Sequence, residues 1–335
     1  MAATKTYTQL LNAYMNLTKD TTSGNQEQGQ IRINNSVRAI CNLQGGKLRF
    51  LEDTRDMYTV ANQEEYQIPN AFRKLIDIMI YSDDGSGGAA ATSTIYSPEM
   101  VYDPTKWKLI LQYRYGVQDV PYFTYVMNTS YLIQPVPSST GNLIRLRGRL
   151  QTNDMSIADY TTGTITSVTN GDNTVTGSGT TWTADMVGRV IQITQTTAAN
   201  GGDGFWYEIG SVTDATHLEL LKPYEGRSIS AATAAYTIGQ TSVVPEAYSP
   251  AILYRSVAQY WQEQDDLNKA KMYWMMYDGG NELGENKEYG GLIGQMLANE
   301  GETEEGAYIP PFGSTSNLPQ APYYQPYQQA SGFTP

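Results

Sequence analysis

One stretch, Ser249 to Tyr277 (SPAILYRSVAQYWQEQDDLNKAKMYWMMY), limits what this chain can fold into more than any other. Ser249 suits an N-cap, and Pro250 suits the first helical position, where a missing N–H costs nothing. Apolar residues recur at Leu253, Val257, Tyr260, Trp261, Leu267, Ala270, Trp274 and Tyr277, the 3–4 spacing of one helical face. Gln262, Glu263, Asp265, Asp266, Lys269 and Lys271 fall largely on the other side, and Gly279-Gly280 supplies a stop. Tryptophans and tyrosines gathered on one helix are too large an apolar load to leave in water. The spacing therefore predicts one long helix that needs a partner. Either it is an ordinary core helix, or part of its face packs on a neighbouring subunit.

The best partner within the chain lies far upstream. Thr6 to Leu17 reads as a short helix with Tyr7, Leu10, Leu11, Tyr14 and Leu17 on one face. Gln26 to Leu43 reads as a second, ended by Gly45-Gly46. Pairing of that second helix with Ser249–Tyr277 would bring the two chain ends into one small α-domain.

At Lys47 the period changes. Short strands are expected at 49–52, 58–60, 65–68, 74–81, 122–127, 130–134 and 142–150, with a turn at 69–72, a hairpin tip at 83–92 and a short helix around Trp107 to Leu111. Pro135 and Pro137 keep the 135–141 connection from being a central strand. From Gly163 to Ile238 a second β-rich module follows, built around TGTITSVTN, TVTGSG, TTWTADMVGRVIQIT, GFWYEIGSV, THLELLKPY and AAYTIG, with an Asn170-Gly171 turn. Val168, Val175, Trp182, Val190, Ile191, Trp206, Ile209, Val212, Leu218 and Leu220 are expected to fill its core. The expected fold is thus α+β. A small helical domain is built from both chain ends (1–46 and 241–300). The β-rich middle (47–160) carries an inserted small β-barrel or sandwich (161–240), and an extended arm (301–335) follows. That arm is rich in Pro, Gln, Ser and Tyr and cannot form its own core, so it is expected to lie on a partner.

Composition narrows the function. The net charge of −12 argues against a phosphate-gripping DNA binder, though not against a surface that DNA slides past. Twenty-six tyrosines stand against 6 phenylalanines, and tyrosine is favoured at protein interfaces, where one end packs and the other is wet. Cys41 stands alone, so no internal disulfide forms and a reducing cytoplasm is the expected compartment for maturation. No apolar run approaches a membrane span, and MAATKTYTQLLNAYMNL has no apolar leader core. His217 is the one histidine and reads as a surface strand residue rather than a catalytic base; no nucleophile elbow, phosphate loop or calcium loop is present. The carboxylates of the module show no pair spaced for glycoside hydrolysis. No catalytic, metal or cofactor residues are therefore expected. Candidate interaction residues are Trp261, Trp274 and Tyr277 on the helix; Arg145, Arg147 and Arg149, which share one face of a strand; and Tyr308, Tyr323, Tyr324 and Tyr327 of the arm. The arginines suit either an acidic neighbour or a solvated sheet face.

The module sequence, TGTITSVTNGDNTVTGSGTTWTADMVGRVIQI, resembles a β-module of tailed-bacteriophage structural proteins. Its flanks, FLEDTRDMYTVANQEEYQIPNAFRKLIDIMI and PEAYSPAILYRSVAQYWQEQDDLNKAKMYWMMYDGG, resemble the phage head-to-tail adaptor (connector, neck) family. The resemblance implies a structural subunit of a homo-oligomeric ring, commonly of about twelve copies. Such a ring sits between the portal protein and the tail or next neck protein, within the virion, with helices around the DNA channel. It also implies an arm that docks on the portal and the absence of family catalytic residues. An acidic ring wall suits DNA that must pass without sticking. Two rivals use the same residues. One is a different virion part (tail, fibre or capsid decoration) that borrows the module. The other is a glycan-binding module stacking sugars on Trp182, Trp206 and Tyr207.

Overall fold

The computed structural model describes residues 5–82, 94–114, 120–196, 201–230, 233–279 and 290–300. Met1–Glu302 forms one compact unit; Thr303–Pro335 is grouped apart and lies outside the described residues, as does the hairpin tip expected at 83–92.

Both chain ends contribute helices to one bundle. Helix α1 (Tyr7–Thr18) opens with a capping box: Thr6 Oγ1 accepts from Gln9 N at 3.3 Å while Gln9 Oε1 accepts from Thr6 N at 3.2 Å. Helix α2 (Ser23–Cys41) is capped by Thr22. It crosses α1 where Gly29 leaves room for the Tyr14 ring; a Cβ there would meet Tyr14 Cε1 at 2.6 Å. Helices α4 (Ser249–Glu263), α5 (Leu267–Asp278) and α6 (Gly291–Glu300) complete the bundle. Leu10, Tyr14, Ile33, Val37, Ile40, Ile252, Val257, Ile293 and Met296 form its buried centre. Each such side chain contributes about 1.5–3 kcal/mol on leaving water. Within that centre Ser36 Oγ and Ser256 Oγ are 2.9 Å apart, joining α2 to α4 as the sequence pairing predicts.

The expected single helix 249–277 is in fact two. The chain breaks at Gln264–Asp266: Asp265 takes φ 58, and the Asp266 carboxylate caps the next helix by accepting from Lys269 N at 3.2 Å. Consecutive aspartates offer the backbone this alternative to helix, which the apolar period alone conceals. The start also differs: Tyr248, not Ser249, is the N-cap, and no side chain completes it.

The β-rich middle holds β1 (Glu52–Tyr58), β2 (Glu65–Gln67), β3 (Phe72–Ser82), β4 (Thr94–Tyr96), β5 (Glu99–Val101), helix α3 (Pro104–Arg114), β6 (Phe123–Val126), β7 (Ser130–Gln134) and β8 (Leu143–Leu150). They make two sheets, ordered β1-β8-β3-β4 and β2-β7-β6-β5, the pair β5–β6 being parallel. Residues from both sheets (Leu75, Ile78, Ile80, Ile144 and Leu146 from one, Tyr66, Tyr131 and Ile133 from the other) share one core. The Phe72 ring lies across Gly148 of β8, so a Cβ at Gly148 would sit 2.6 Å from it. The strand expected at 49–52 is instead a 3-10 turn (Arg49–Leu51) leading into β1, and the strand expected at 58–60 ends at Tyr58.

The module is a six-stranded sheet of β9 (Thr164–Val168), β10 (Thr174–Ser178), β11 (Val190–Ile193), β12 (Trp206–Asp214), β13 (His217–Leu220) and β14 (Tyr236–Gly239), ordered β14-β11-β12-β13-β10-β9. Bridges Ile165–Ala234 and Val168–Ile229 lay the run before β14 along the free edge of β9, so the sheet curls into a half-barrel. Of the long segment 180–194 only Val190–Ile193 is strand; Ala184–Met186 is a 3-10 turn. Most of the expected core is found, but Val190 and Trp206 turn to the opposite face from Ile191, Tyr207 and Ile209, and Val212 is only partly buried. The incoming and outgoing segments run side by side through a Tyr160–Ile238 bridge. The helical bundle holds them: Tyr7 N donates to Gln240 O at 2.8 Å, Thr6 Oγ1 to Asp159 Oδ2 at 2.7 Å, and Asn34 makes two 3.0 Å bonds to the Met155 backbone.

Candidate assembly surfaces

Trp261, Trp274 and Tyr277 lie in seams of the bundle rather than on one outer face. Trp261 packs edge-on against Tyr260, with centroids 5.0 Å apart, and Lys269 Nζ stands 3.8 Å above its ring. The Arg255 guanidinium covers Trp274 and Tyr277 at 5.4 and 5.5 Å, a cation–π clamp between α4 and α5. Tyr277 is buried. Beneath them, Tyr14 is fully enclosed; its hydroxyl donates to Asn25 Oδ1 at 2.9 Å and receives Arg32 Nη1 at 2.6 Å, while Arg32 also pairs with Glu263. Burial pushes the Tyr14 hydroxyl up to about 12, with Arg32 opposing.

What α5 does present outward is methionine. Leu267 is 67% exposed and Met275 55%, with Met272 and Met276 also exposed. The apolar period places Leu267 on the covered face, where the structure does not put it, and it leaves Met272, Met275 and Met276 out of the count. The signal was nonetheless there, in Met272 and Met276 spaced four apart on the same helix.

The strand arginines share a face as their period requires, but strand β1 answers them. Arg145 grips Asp56 through two 2.8 Å bonds, Arg147 pairs with Glu52, and Arg149 sits opposite Glu52 in register. Pairs this exposed contribute about 0–1 kcal/mol each. Tyr308, Tyr323, Tyr324 and Tyr327 lie outside the described residues.

The three aromatics considered for sugar stacking are committed elsewhere. Trp182 is buried and donates Nε1–H to Tyr236 at 2.9 Å, Tyr207 is in the module core and bonds Asp203, and Trp206 is 4% exposed. None offers a ring face to a glycan. His217 sits half-exposed on β13 beside Asp214, at 2.9 Å, as a surface strand residue.

A cleft of about 580 Å³ runs between the module and the rest of the compact unit. Its walls carry Phe50, Trp206, Pro223 and Pro245, with Phe205, 54% exposed, at its margin. Two ion pairs cross it, Arg55–Glu208 at 2.7 Å and Lys222–Asp53 at 3.3 Å.

A bundle of both chain ends, a β-rich middle and the β-module that follows it form one continuous architecture. The family model described as SU10 adaptor protein matches residues 5–292, module included. The chain belongs to the SU10 adaptor protein family. It is therefore a phage head–tail adaptor, a structural component of the virion and not an enzyme. No curated protein sequence matches the adaptor. No helix among its described residues is long and apolar enough to cross a membrane.

Proposed function

We propose that this adaptor is the repeating subunit of a ring, of about twelve copies, that joins the portal to the tail or next neck protein around the DNA channel. The observation that carries the proposal is the exposed, methionine-rich outer face of α5, set on a bundle whose described aromatics pack against one another and against its cations. Exposed apolar faces of this kind mark interaction sites, and methionine adapts to irregular partners. A net charge of −12 per copy, repeated around a ring, keeps DNA phosphates from adhering. Residues 1–46 with 241–300, 47–160, 161–240 and 301–335 act in this reading as bundle, β-rich body, module and arm.

The test is native mass of the purified protein, alone and with portal. A closed ring, or a monomer that assembles only on portal, supports the proposal. A protein that stays monomeric with portal present refutes it, and a stable trimer points to a fibre or decoration protein instead.

A further inference from the structure

The cleft between module and body has a chemistry that the adaptor family name does not explain. Its walls are aromatic and prolyl: Phe50, Trp206, Pro223 and Pro245, with Phe205 left largely in water. Most of its charges are answered, Arg55 with Glu208, Lys222 with Asp53, and Glu52 and Asp154 with Arg147 and Arg38 beyond the lining, and the remaining pair, Arg189 and Glu225, is of opposite sign. One polar atom is left over: Arg55 Nε is buried in the wall without an acceptor. A buried N–H of this kind needs an acceptor, and the carbonyl of an incoming backbone would supply one. The groove thus fits an uncharged, extended peptide whose backbone supplies acceptors and whose side chains stack on aromatic rings.

This chain contains such a peptide. Residues 307–335 include no charged residue, and hold six prolines and six aromatics, among them Tyr308, Phe312, Tyr323, Tyr324 and Tyr327. Proline-rich stretches favour the polyproline II conformation, which docks in aromatic grooves at low entropic cost. The last turn of α6 is tied down, Asn299 Nδ2 donating to Tyr248 OH at 3.2 Å. The 35 residues that follow Glu300 span up to about 115 Å when extended, enough to reach a neighbouring subunit.

We propose that the 307–335 arm of one subunit docks in the module–body cleft of a neighbouring copy, strapping the assembly head to tail. This rests on the ring reading for its geometry. The exposed ring of Phe205 supplies the stacking surface and Arg55 Nε a donor to the arm backbone; the arm supplies carbonyls and rings.

The experiment places a photo-crosslinker in the full-length protein as Phe205→p-benzoyl-phenylalanine, mixed with isotopically heavy protein of natural sequence. Irradiation of the assembled protein is expected to give covalent ladders whose adducts map to heavy-chain residues 307–335. The variant Phe205→Ser, at an exposed position, should leave melting unchanged; removal of 307–335 from the heavy chain should abolish the adduct. Adducts confined to the same chain, adducts to portal only, or an assembly without adducts each overturn the proposal. The same adduct in a dimer or trimer instead leaves the strap standing and refutes the ring, and a protein monomeric under all conditions refutes both.

Discussion

Gly29→Ala is the substitution whose sign separates packing from helix propensity in this bundle. Propensity alone favours alanine inside α2 by about 1 kcal/mol. Packing opposes it: the new Cβ would lie 2.6 Å from Tyr14 Cε1, 2.8 Å from Cδ1 and 3.3 Å from Leu11 Cδ1. Tyr14 cannot yield cheaply, because its ring is fully buried and its hydroxyl is held by Asn25 and Arg32. Overpacking costs about 1–3 kcal/mol. Displacing a buried hydroxyl from its partners adds about 1–3 kcal/mol. The net expectation is destabilisation by about 1–5 kcal/mol, read as a lower urea midpoint at unchanged slope. Gly24 provides the control in the same helix, since nothing lies within 4 Å of a Cβ there. Gly24→Ala should be neutral or slightly stabilising. If Gly29→Ala proves as stable as Gly24→Ala, the Tyr14 ring moves freely, and the claim that Tyr14 locks α1 to α2 is wrong.

Gly148→Val should destabilise the β-rich body by about 1–3 kcal/mol through its clash with Phe72, seen as a lower urea midpoint. Thr6→Ala removes the α1 cap and the bond to Asp159, and should cost about 1–2 kcal/mol in thermal melts. Alkaline stability follows from the buried tyrosines: burial raises the hydroxyls of Tyr14 and Tyr224 to about 12, above the ordinary 10.0 of the unfolded chain. Their contribution is complete below pH 10 and is lost as pH rises from 10 towards 12, so unfolding and tyrosinate absorbance should rise together in that window. Tyrosinate appearing well before loss of circular dichroism would count against it.

The pairing of the chain ends was legible because it rests on apolar period and helix stops, which are local. Tyr7, Leu10 and Tyr14 face inward as their spacing requires, and Ile33, Val37 and Ile40 meet α4. The break at Gln264–Asp266 was not legible from period, because the apolar positions on either side of it continue the same count. Its cause lies instead in competition between an aspartate cap and the helix ladder. At Val190 and Trp206 the alternation was visible, but which face is core depends on curling of the sheet against the body, a long-range fact.

Assembly surfaces are harder still, and α5 shows why. An aromatic residue signals burial whichever chain covers it, so Trp261, Trp274 and Tyr277 were equally good evidence for an internal seam and for a subunit contact. In the structure Arg255 and Lys269 of the same chain lie over those rings. Beyond those rings, the apolar surface of the helix left exposed is Leu267, Met272, Met275 and Met276, over which no cation stands in this way among the described residues. The kink makes that surface. With a straight helix from Ser249 to Tyr277, the 267–278 segment would continue along the axis away from α4. With the turn at Asp265, α5 folds back on α4, lays Tyr273 against Tyr254 and Trp274 against Arg255, and thereby directs its methionines outward. The acidic pair read from sequence as a solvated face is thus the element that decides which residues of this helix remain for a partner.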